Sequence, residues 1–235
     1  MPTCRAILQE LRRLGTAQNR KVYRRHGVDG ELFGVSSAHL GKLTRKIGTD
    51  HDLAVALWES GNHDARVLAT MVADPKEATL TMVNAWGRQL SNYVITDALA
   101  GFVGKTPFVQ RKMEQWTRAR NEWTCSVGLG LLGRMALSGD DFDDAVFDPY
   151  LARIEQEIHD QANRVRHTMN LALIAIGCRH DALAGRAIEI AGRIGKVEVD
   201  HGATGCKTPD AAAYIRKTRA YRKKKAGRKR AGARS

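Results

Sequence analysis

The residues best suited to chemistry in this sequence are its lysines and arginines, because they occur in clusters. The chain has 38 Lys and Arg against 25 Asp and Glu, and eleven of the basic residues lie between 216 and 235, where there is no acid. A smaller basic group, Lys42, Arg45 and Lys46, lies in the body of the chain. Clustered cations bind polyanions by neutralising phosphates and releasing counterions. This pattern favours a nucleic-acid partner, with a solvated extension that aids solubility as the alternative for 216–235.

The cysteines and histidines form no catalytic or metal-binding pattern. The nearest approach to a metal set is Cys178 and His180 with His201 and Cys206, but its spacing matches no usual zinc site. The G-x-G-x-x-G match at 128–133 follows no predicted strand, which indicates helix packing and not dinucleotide binding. We therefore expect neither a metal nor a cofactor.

Length and composition limit the class of protein. With 235 residues, 43% hydrophobic and only 6% aromatic, the chain is long enough for a full core and has the composition of a helical protein. No run approaches the roughly 20 apolar residues that a membrane-spanning helix needs. The N-terminus becomes charged too early for a signal peptide. We expect a cytoplasmic monomer that does not bind membranes.

The apolar residues recur at intervals of three and four, which predicts helices. Ile7, Leu11 and Leu14 follow Thr3, a suitable N-cap, and the pattern stops at Gly15. Stretches with the same periodicity follow at about 17–26, 37–47, 51–60, 63–73, 77–88, 91–103, 106–119, 122–137, 143–162, 165–178, 181–194 and 209–225. Only 196–200 resembles a strand, so the predicted fold class is all-α.

Tryptophan spacing indicates an internal repeat. Trp58, Trp86 and Trp116 are 28 and 30 residues apart, each near the end of a predicted helix. Six residues after them lie Asp64, Asn92 and Glu122, of which the first two are good N-cap types. Each is followed by a second apolar helix. Tandem helix pairs predict a curved α-solenoid of HEAT-like repeats, and an irregular helical bundle is the alternative.

A solenoid places the second helix of each pair along a common concave groove. The second helices contribute Arg66, Tyr93, Asp97, Trp123 and Ser126 to this groove. The corresponding stretch one unit earlier contributes Lys42, Arg45 and Lys46, and Arg120 adds a positive charge at the rim. Basic side chains at the ends of the groove, with aromatic side chains between them, suit the phosphates of duplex DNA. We predict one solenoid domain over 1–215 and a basic, partly disordered tail over 216–235.

Several stretches resemble those of the DNA alkylation repair proteins of AlkD type, HEAT-like solenoids that include base-excising glycosylases. The resemblance is carried by 33–35, 57–66, 91–97, 194–201, 206–210 and 214–215. It therefore covers nearly the whole chain up to the tail. Such stretches support the fold and the family better than they support an activity.

The resemblance implies a site made of a tryptophan, an aspartate four residues later and an arginine from the next repeat. Asp97 matches the aspartate, whereas Tyr93 replaces the tryptophan and Ser126 replaces the arginine. A carboxylate at this place could stabilise the oxocarbenium-like charge and hold the attacking water. A cationic alkylated base needs no general acid to leave, so one carboxylate could suffice for 3- or 7-alkylpurines.

The resemblance and the charges together lead to three functional hypotheses. The first is a protein that binds duplex, damaged DNA and excises cationic alkylpurines, with Asp97 and Tyr93 at the catalytic site. The second is a non-catalytic scaffold that binds DNA or protein partners and has lost the chemistry. The third is an RNA binder, which the basic tail would serve equally well. In each case Lys223, Lys224 and Lys225 would bind phosphates without reading sequence.

Overall fold

The computed structural model describes residues 2–138 and 142–232, with side chains as far as residue 225. The regular structure of this part of the chain is helical throughout, as the periodicity predicted. Its α-helices are α1 (Cys4–Leu14), α2 (Ala17–Arg25), α3 (Ser37–Ile47), α4 (His51–Glu59), α5 (His63–Val72), α6 (Leu80–Arg88), α7 (Tyr93–Val103), α8 (Val109–Trp116), α9 (Glu122–Leu137), α10 (Asp148–Glu157), α11 (Asn163–Gly177), α12 (Asp181–Ile194) and α13 (Ala211–Gly232). None of the described helices is long and apolar enough to cross a membrane.

Side-chain caps explain where several helices begin. The Thr3 hydroxyl accepts from the third amide of its helix, and α1 ends at Gly15, so both predicted ends are confirmed. Asn92 accepts from the amides of Val94 and Ile95 at 3.1 and 3.2 Å, which confirms it as the cap of α7. The prediction that Asp64 caps α5 is wrong. The cap is Asn62, because its amide oxygen reaches the first-turn amides and leaves Asp64 inside the helix.

Two other predictions from periodicity are wrong. Residues 196–200 form no strand, since this segment runs without regular structure after α12. The single helix predicted over 143–162 is divided into a 3-10 helix at Asp144–Phe147, the helix α10, and a second 3-10 turn at Ile158–Asp160. Pro149 in the first turn of α10 gives the physical reason, because proline favours the start of a helix over its interior.

Contacts between Cα atoms divide the described chain into two compact units. Unit 1 contains residues up to 131 together with 201–206, and unit 2 contains 132–200 and the residues from 207 onward. The boundary falls inside α9. The predicted limits of a solenoid domain over 1–215 and a tail over 216–235 stay a prediction.

Unit 1 contains the tryptophan repeat. Trp58, Trp86 and Trp116 lie in α4, α6 and α8, the first helices of three successive pairs. The rings of Trp58 and Trp86 stack with centroids 4.2 Å apart and planes 5° from parallel. A Cβ on Gly87 would lie 3.1 Å from the Trp116 ring, so this indole packs directly on the backbone of α6. The second helix α5 contacts both α3 and α7. The tandem helix pairs predicted from the tryptophans are confirmed.

A buried carboxylate fixes the loop between α2 and α3. Asp64 is 1% exposed, and it accepts hydrogen bonds from the amides of Phe33, Gly34 and Val35 at 2.6, 3.0 and 2.8 Å. Gly34 has a φ of +79°, and a Cβ there would lie 2.7 Å from the Thr16 carbonyl oxygen. Two of the sequence stretches that carried the family resemblance therefore contact each other directly.

In unit 2, three helices meet at a glycine. A Cβ on Gly177 of α11 would lie 2.5 Å from Ile215 of α13 and 2.8 Å from Ala187 of α12. Both Ile215 and Ala187 are fully buried. The absence of a side chain at 177 therefore allows α13 to pack closely against the rest of the unit, which sets the orientation of the basic helix.

Candidate functional site

The helix α7 positions the two predicted catalytic residues. The Asn92 cap places Tyr93 at its first residue and Asp97 one turn later on the same side. Asp97 is exposed, whereas Tyr93 is half-buried. The Tyr93 hydroxyl shares a hydrogen bond with Nδ1 of His26, and the two rings meet edge to face at 5.6 Å. The carboxylate is thus accessible, and the phenol is held by His26, the residue that follows α2.

A cavity of about 380 Å³ opens beside Tyr93. Its polar lining consists of Asn19, Tyr23, His26, Ser36, Ser37 and Tyr93. Burial, with the nearby charge of Asp64, raises the pKa of Tyr23, so its hydroxyl stays protonated and donates to the Val35 carbonyl at 2.8 Å. These hydroxyl, amide and imidazole groups can both donate and accept hydrogen bonds. Asp97 is not among the lining residues, so the carboxylate and the cavity are separate features.

The residue that replaces the expected arginine does not reach the surface. Ser126 of α9 is 2% exposed, and its hydroxyl has no hydrogen-bond partner among the described residues. Trp123, one turn earlier, is half-buried. A neutral, buried hydroxyl neither attracts a phosphate from a distance nor binds it through two parallel hydrogen bonds. The arrangement therefore lacks, at this position, the cation that the resemblance implied.

Arg66 joins two repeats. Its Nε donates to the Trp58 carbonyl at 3.2 Å, and its terminal nitrogen donates to Oε1 of Gln89 at 2.8 Å. The guanidinium lies over the Trp58 ring at 5.4 Å, and the Trp58 indole nitrogen donates to the same Gln89 oxygen. Burial lowers the pKa of Arg66. The three Arg66 contacts connect α5 to α4 and to Gln89, the residue that follows α6, and the predicted DNA contact of Arg66 stays a prediction.

The remaining predicted phosphate contacts lie on the surface. Lys42, Arg45 and Lys46 are exposed on α3, which Leu40 and Leu43 attach to the core. Arg120 is exposed in the turn before α9. These side chains can approach a phosphate backbone without any change in the fold.

On α13, the predicted contacts differ in their surroundings. Lys223, Lys224 and Lys225 are all exposed, and Lys223 also lies 3.3 Å from the carboxylate of Asp181. Arg219 pairs with the same carboxylate. These neighbours lower the pKa of Asp181, first through the hydrogen bond from Arg219 and then through that from Lys223. Part of the positive charge near the C-terminus is therefore neutralised within unit 2.

Sequence reasoning missed the neighbours of Tyr93. His26 is 67 residues away in the chain, and no spacing rule connects it to α7. Tyr23 lies three residues before His26, at the end of α2, and this spacing was a local signal that the two rings lie close together. No group of three or more His, Cys, Asp or Glu in the described part of the chain is placed to hold a metal ion.

Comparison with known proteins relates this arrangement to a family. A family model described as "DNA alkylation repair enzyme" matches residues 7–225. The uncharacterized protein Lin0241 of Listeria innocua is 31% identical over 216 residues, which cover 89% of this chain and 94% of that protein. The uncharacterized protein Lmo0209 of Listeria monocytogenes is 30% identical, with the same coverage.

A solved structure has the same fold. It aligns with a TM-score of 0.84 and 25% sequence identity, over 92% of this chain and 93% of its own. It is described as a new family of proteins related to the HEAT-like repeat DNA glycosylases with affinity for branched DNA structures. The present fold is therefore an all-α fold of HEAT-like repeats.

Proposed function

Because this chain belongs to the DNA alkylation repair enzyme family, we propose that it binds DNA through exposed basic side chains. The observation that carries the proposal is the outer face of α3. Arg45 and Lys46 lie three and four residues after Lys42, and all three side chains are exposed. A row of cations on one side of a rigid helix is suited to the phosphates of one DNA strand.

The surroundings of α7 and α9 support binding over base excision. Of the three positions that the family resemblance assigns to the catalytic site, only Asp97 keeps both the expected residue and an exposed side chain. The Tyr93 hydroxyl is bonded to His26, and Ser126 is buried. DNA recognition needs none of these groups, because phosphates are bound by cations elsewhere on the surface.

Excision of cationic alkylpurines is the second candidate function. It is favoured by one observation, the exposure of Asp97 one turn after an aromatic residue on α7. In this reaction the carboxylate would stabilise the positive sugar and hold the attacking water, while the alkylated base leaves without protonation.

The binding proposal is tested by removing the α3 cations. The triple variant Lys42→Ala, Arg45→Ala, Lys46→Ala should bind duplex DNA more weakly in fluorescence anisotropy titrations. The slope of log K against log salt should become shallower by about 0.9 for each phosphate contact removed. The matched control replaces Lys76, Lys105 and Lys207, which are exposed outside the helices, by alanine. Equal losses in both triple variants would contradict a specific role for α3.

Excision is tested separately on methylated duplex DNA. Wild-type protein and Asp97→Asn are incubated with the substrate at low salt, and released alkylpurines are quantified. Release by the wild type that disappears in Asp97→Asn, with DNA affinity unchanged, would establish the excision reaction. If neither protein releases a base while both bind DNA, excision is rejected and binding is retained.

A further inference from the structure

The exposed face of α13 carries an alternating row of tyrosines and lysines. Tyr214, Lys217, Tyr221 and Lys224 are separated by three, four and three residues. At 3.6 residues per turn, these four positions fall within about 80° of the helix circumference. We call this set the tyrosine–lysine stripe. Tyr214 and Tyr221 are 51% and 66% exposed, unusually high for aromatic side chains.

The opposite face of α13 explains why the stripe is fixed on the outside. Ile215 is fully buried against Gly177, and Arg222 donates to the Cys178 carbonyl at 2.5 Å. Arg219 pairs with Asp181 at the start of α12. Apolar packing, a carbonyl contact and an ion pair therefore hold one side of the helix, so the tyrosine–lysine stripe cannot rotate into the core.

The charges of the stripe are not used within the fold. Arg219 and Lys223 have Asp181 as a partner. Lys217 and Lys224 form no ion pair with any described residue, and no acid occurs between 211 and 225. Neither packing nor pairing inside unit 2 therefore accounts for the tyrosines or for these lysines.

We propose that the tyrosine–lysine stripe binds single-stranded DNA, with bases stacked on Tyr214 and Tyr221 and phosphates on Lys217 and Lys224. Aromatic rings alternating with cations match the alternation of bases and phosphates in an unpaired strand, whereas the bases of a duplex are already stacked on each other. The two tyrosines are about 10 Å apart along the axis, a distance that an extended strand can span. This inference rests on the proposed function and narrows its substrate to DNA with an unpaired segment.

The test compares a fluorescein-labelled oligothymidylate with a blunt duplex of the same length. In Tyr214→Ala/Tyr221→Ala, affinity for the oligothymidylate should fall by about tenfold or more, because stacking contributes strongly for each base. Affinity for the duplex should change little. The conservative variant Tyr214→Phe/Tyr221→Phe keeps the rings and should bind like the wild type. Tyr214→Leu/Tyr221→Leu, apolar without an aromatic face, should bind like the alanine variant.

The lysines are tested through the salt dependence. Lys217→Gln/Lys224→Gln should reduce the salt slope on the oligothymidylate by about 0.7 for each phosphate, and the tyrosine variants should leave this slope unchanged. A single-strand affinity insensitive to Tyr→Ala, with duplex binding intact, would overturn the inference alone. Tighter binding of oligouridylate through the same tyrosines would also overturn it, in favour of RNA. Failure of the wild type to bind either DNA would reject the proposed function itself.

Discussion

Unit 1 and unit 2 each hold a loop through one buried charged side chain, but the charges are opposite. In unit 1, the carboxylate of Asp64 accepts from three successive backbone amides. In unit 2, Arg179, whose side chain is 5% exposed, donates to the carbonyls of Ala136 and Phe142 and to the carboxylate of Asp144. Its guanidinium also lies 5.3 Å from the centre of the Phe147 ring.

The difference lies in what balances each charge. The anion of unit 1 is stabilised by amide dipoles, whereas the cation of unit 2 has a counter-ion that is itself half-exposed to water. Losing Asp64 would leave buried donors without acceptors. Losing Arg179 would leave a carboxylate that water can still reach, so the two units should respond unequally to the removal of their charged residue.

The largest effect is expected at Asp64. Asp64→Ala should lower the free energy of unfolding by about 3–5 kcal/mol, because buried amides lose their acceptor. Asp64→Asn keeps one acceptor oxygen and should cost less. Urea unfolding followed by circular dichroism measures both, with Asp29→Asn, an exposed aspartate of the same unit, as control. If Asp64→Ala lowers the free energy of unfolding no more than the control does, the proposed structural role of this carboxylate is contradicted.

A smaller effect is expected at Arg179. Arg179→Met should cost about 2–3 kcal/mol, whereas Arg186→Met, which removes an exposed ion pair with Asp148, should cost less than about 1 kcal/mol. Urea unfolding again provides the comparison. Similar losses at the two arginines would show that burial of the guanidinium contributes little.

The ion pair between Arg179 and Asp144 should also make the free energy of unfolding depend on pH. The hydrogen bond from Arg179, followed by that from His180, lowers the pKa of Asp144. The unfolded aspartate, with a pKa of about 3.9, therefore binds protons at a higher pH than the folded one. The stability that the ionised Asp144 contributes to the folded state is complete above about pH 4, and it is lost as the pH falls through the pKa of the folded protein's Asp144. Arg179→Met should flatten the acid limb of stability against pH, and an unchanged limb would contradict this assignment.

In unit 1, the pH dependence should come from a histidine and lie at higher pH. Burial lowers the pKa of His63, against the opposing effect of Asp64. The imidazole of the unfolded chain, with a pKa of about 6.5, is protonated at a higher pH than the imidazole of the folded chain. Stability should therefore fall as the pH drops below about 6.5, by at most about 1.4 kcal/mol per pH unit. His63→Phe should remove this slope and His39→Phe should retain it, as unfolding at several pH values would show.

The smallest effect is expected at Ser126, a buried residue whose hydroxyl meets no hydrogen-bond partner in the part of the chain that the structure describes. Ser126→Ala removes no hydrogen bond and should change the free energy of unfolding by less than about 0.5 kcal/mol. Thr96→Val provides the contrast, because the Thr96 hydroxyl donates to the Asn92 carbonyl at 2.8 Å. This variant should cost about 1 kcal/mol. A large loss at Ser126→Ala would reveal a contact that the static geometry does not contain.

The sequence predicted the helices well because their signals are local. Apolar spacing, the Thr3 and Asn92 caps and the interval between tryptophans depend on residues within one or two turns, or on a regular repeat. The strand predicted at 196–200 failed because alternation over five residues is a weak signal without a neighbouring strand. The division of 143–162 was missed since periodicity alone does not register a change from α to 3-10 geometry.

The site was less predictable because its contacts are distant in sequence. Asp64 was an acceptable N-cap by type, yet its partners lie about 30 residues earlier. Ser126 is buried on α9, and another face of the same helix packs against the end of α8, where a Cβ on Gly128 would lie 2.3 Å from the Thr117 nitrogen. The glycines at 128–133 indicated helix packing, but the residue pattern does not say which segment packs against them or which side chains of α9 are buried. The family resemblance could indicate which positions matter but not which of them remain accessible.

The stacked tryptophans of unit 1 have an optical consequence. Two nearly parallel indoles 4.2 Å apart are close enough for their strong far-ultraviolet transitions to couple, which should add a paired signal to the far-ultraviolet circular dichroism spectrum. The rings belong to α4 and α6, so the signal depends on the register between two successive helix pairs. A shift of one pair against the next on DNA binding would alter it, and the native chain therefore carries its own spectroscopic probe of repeat geometry.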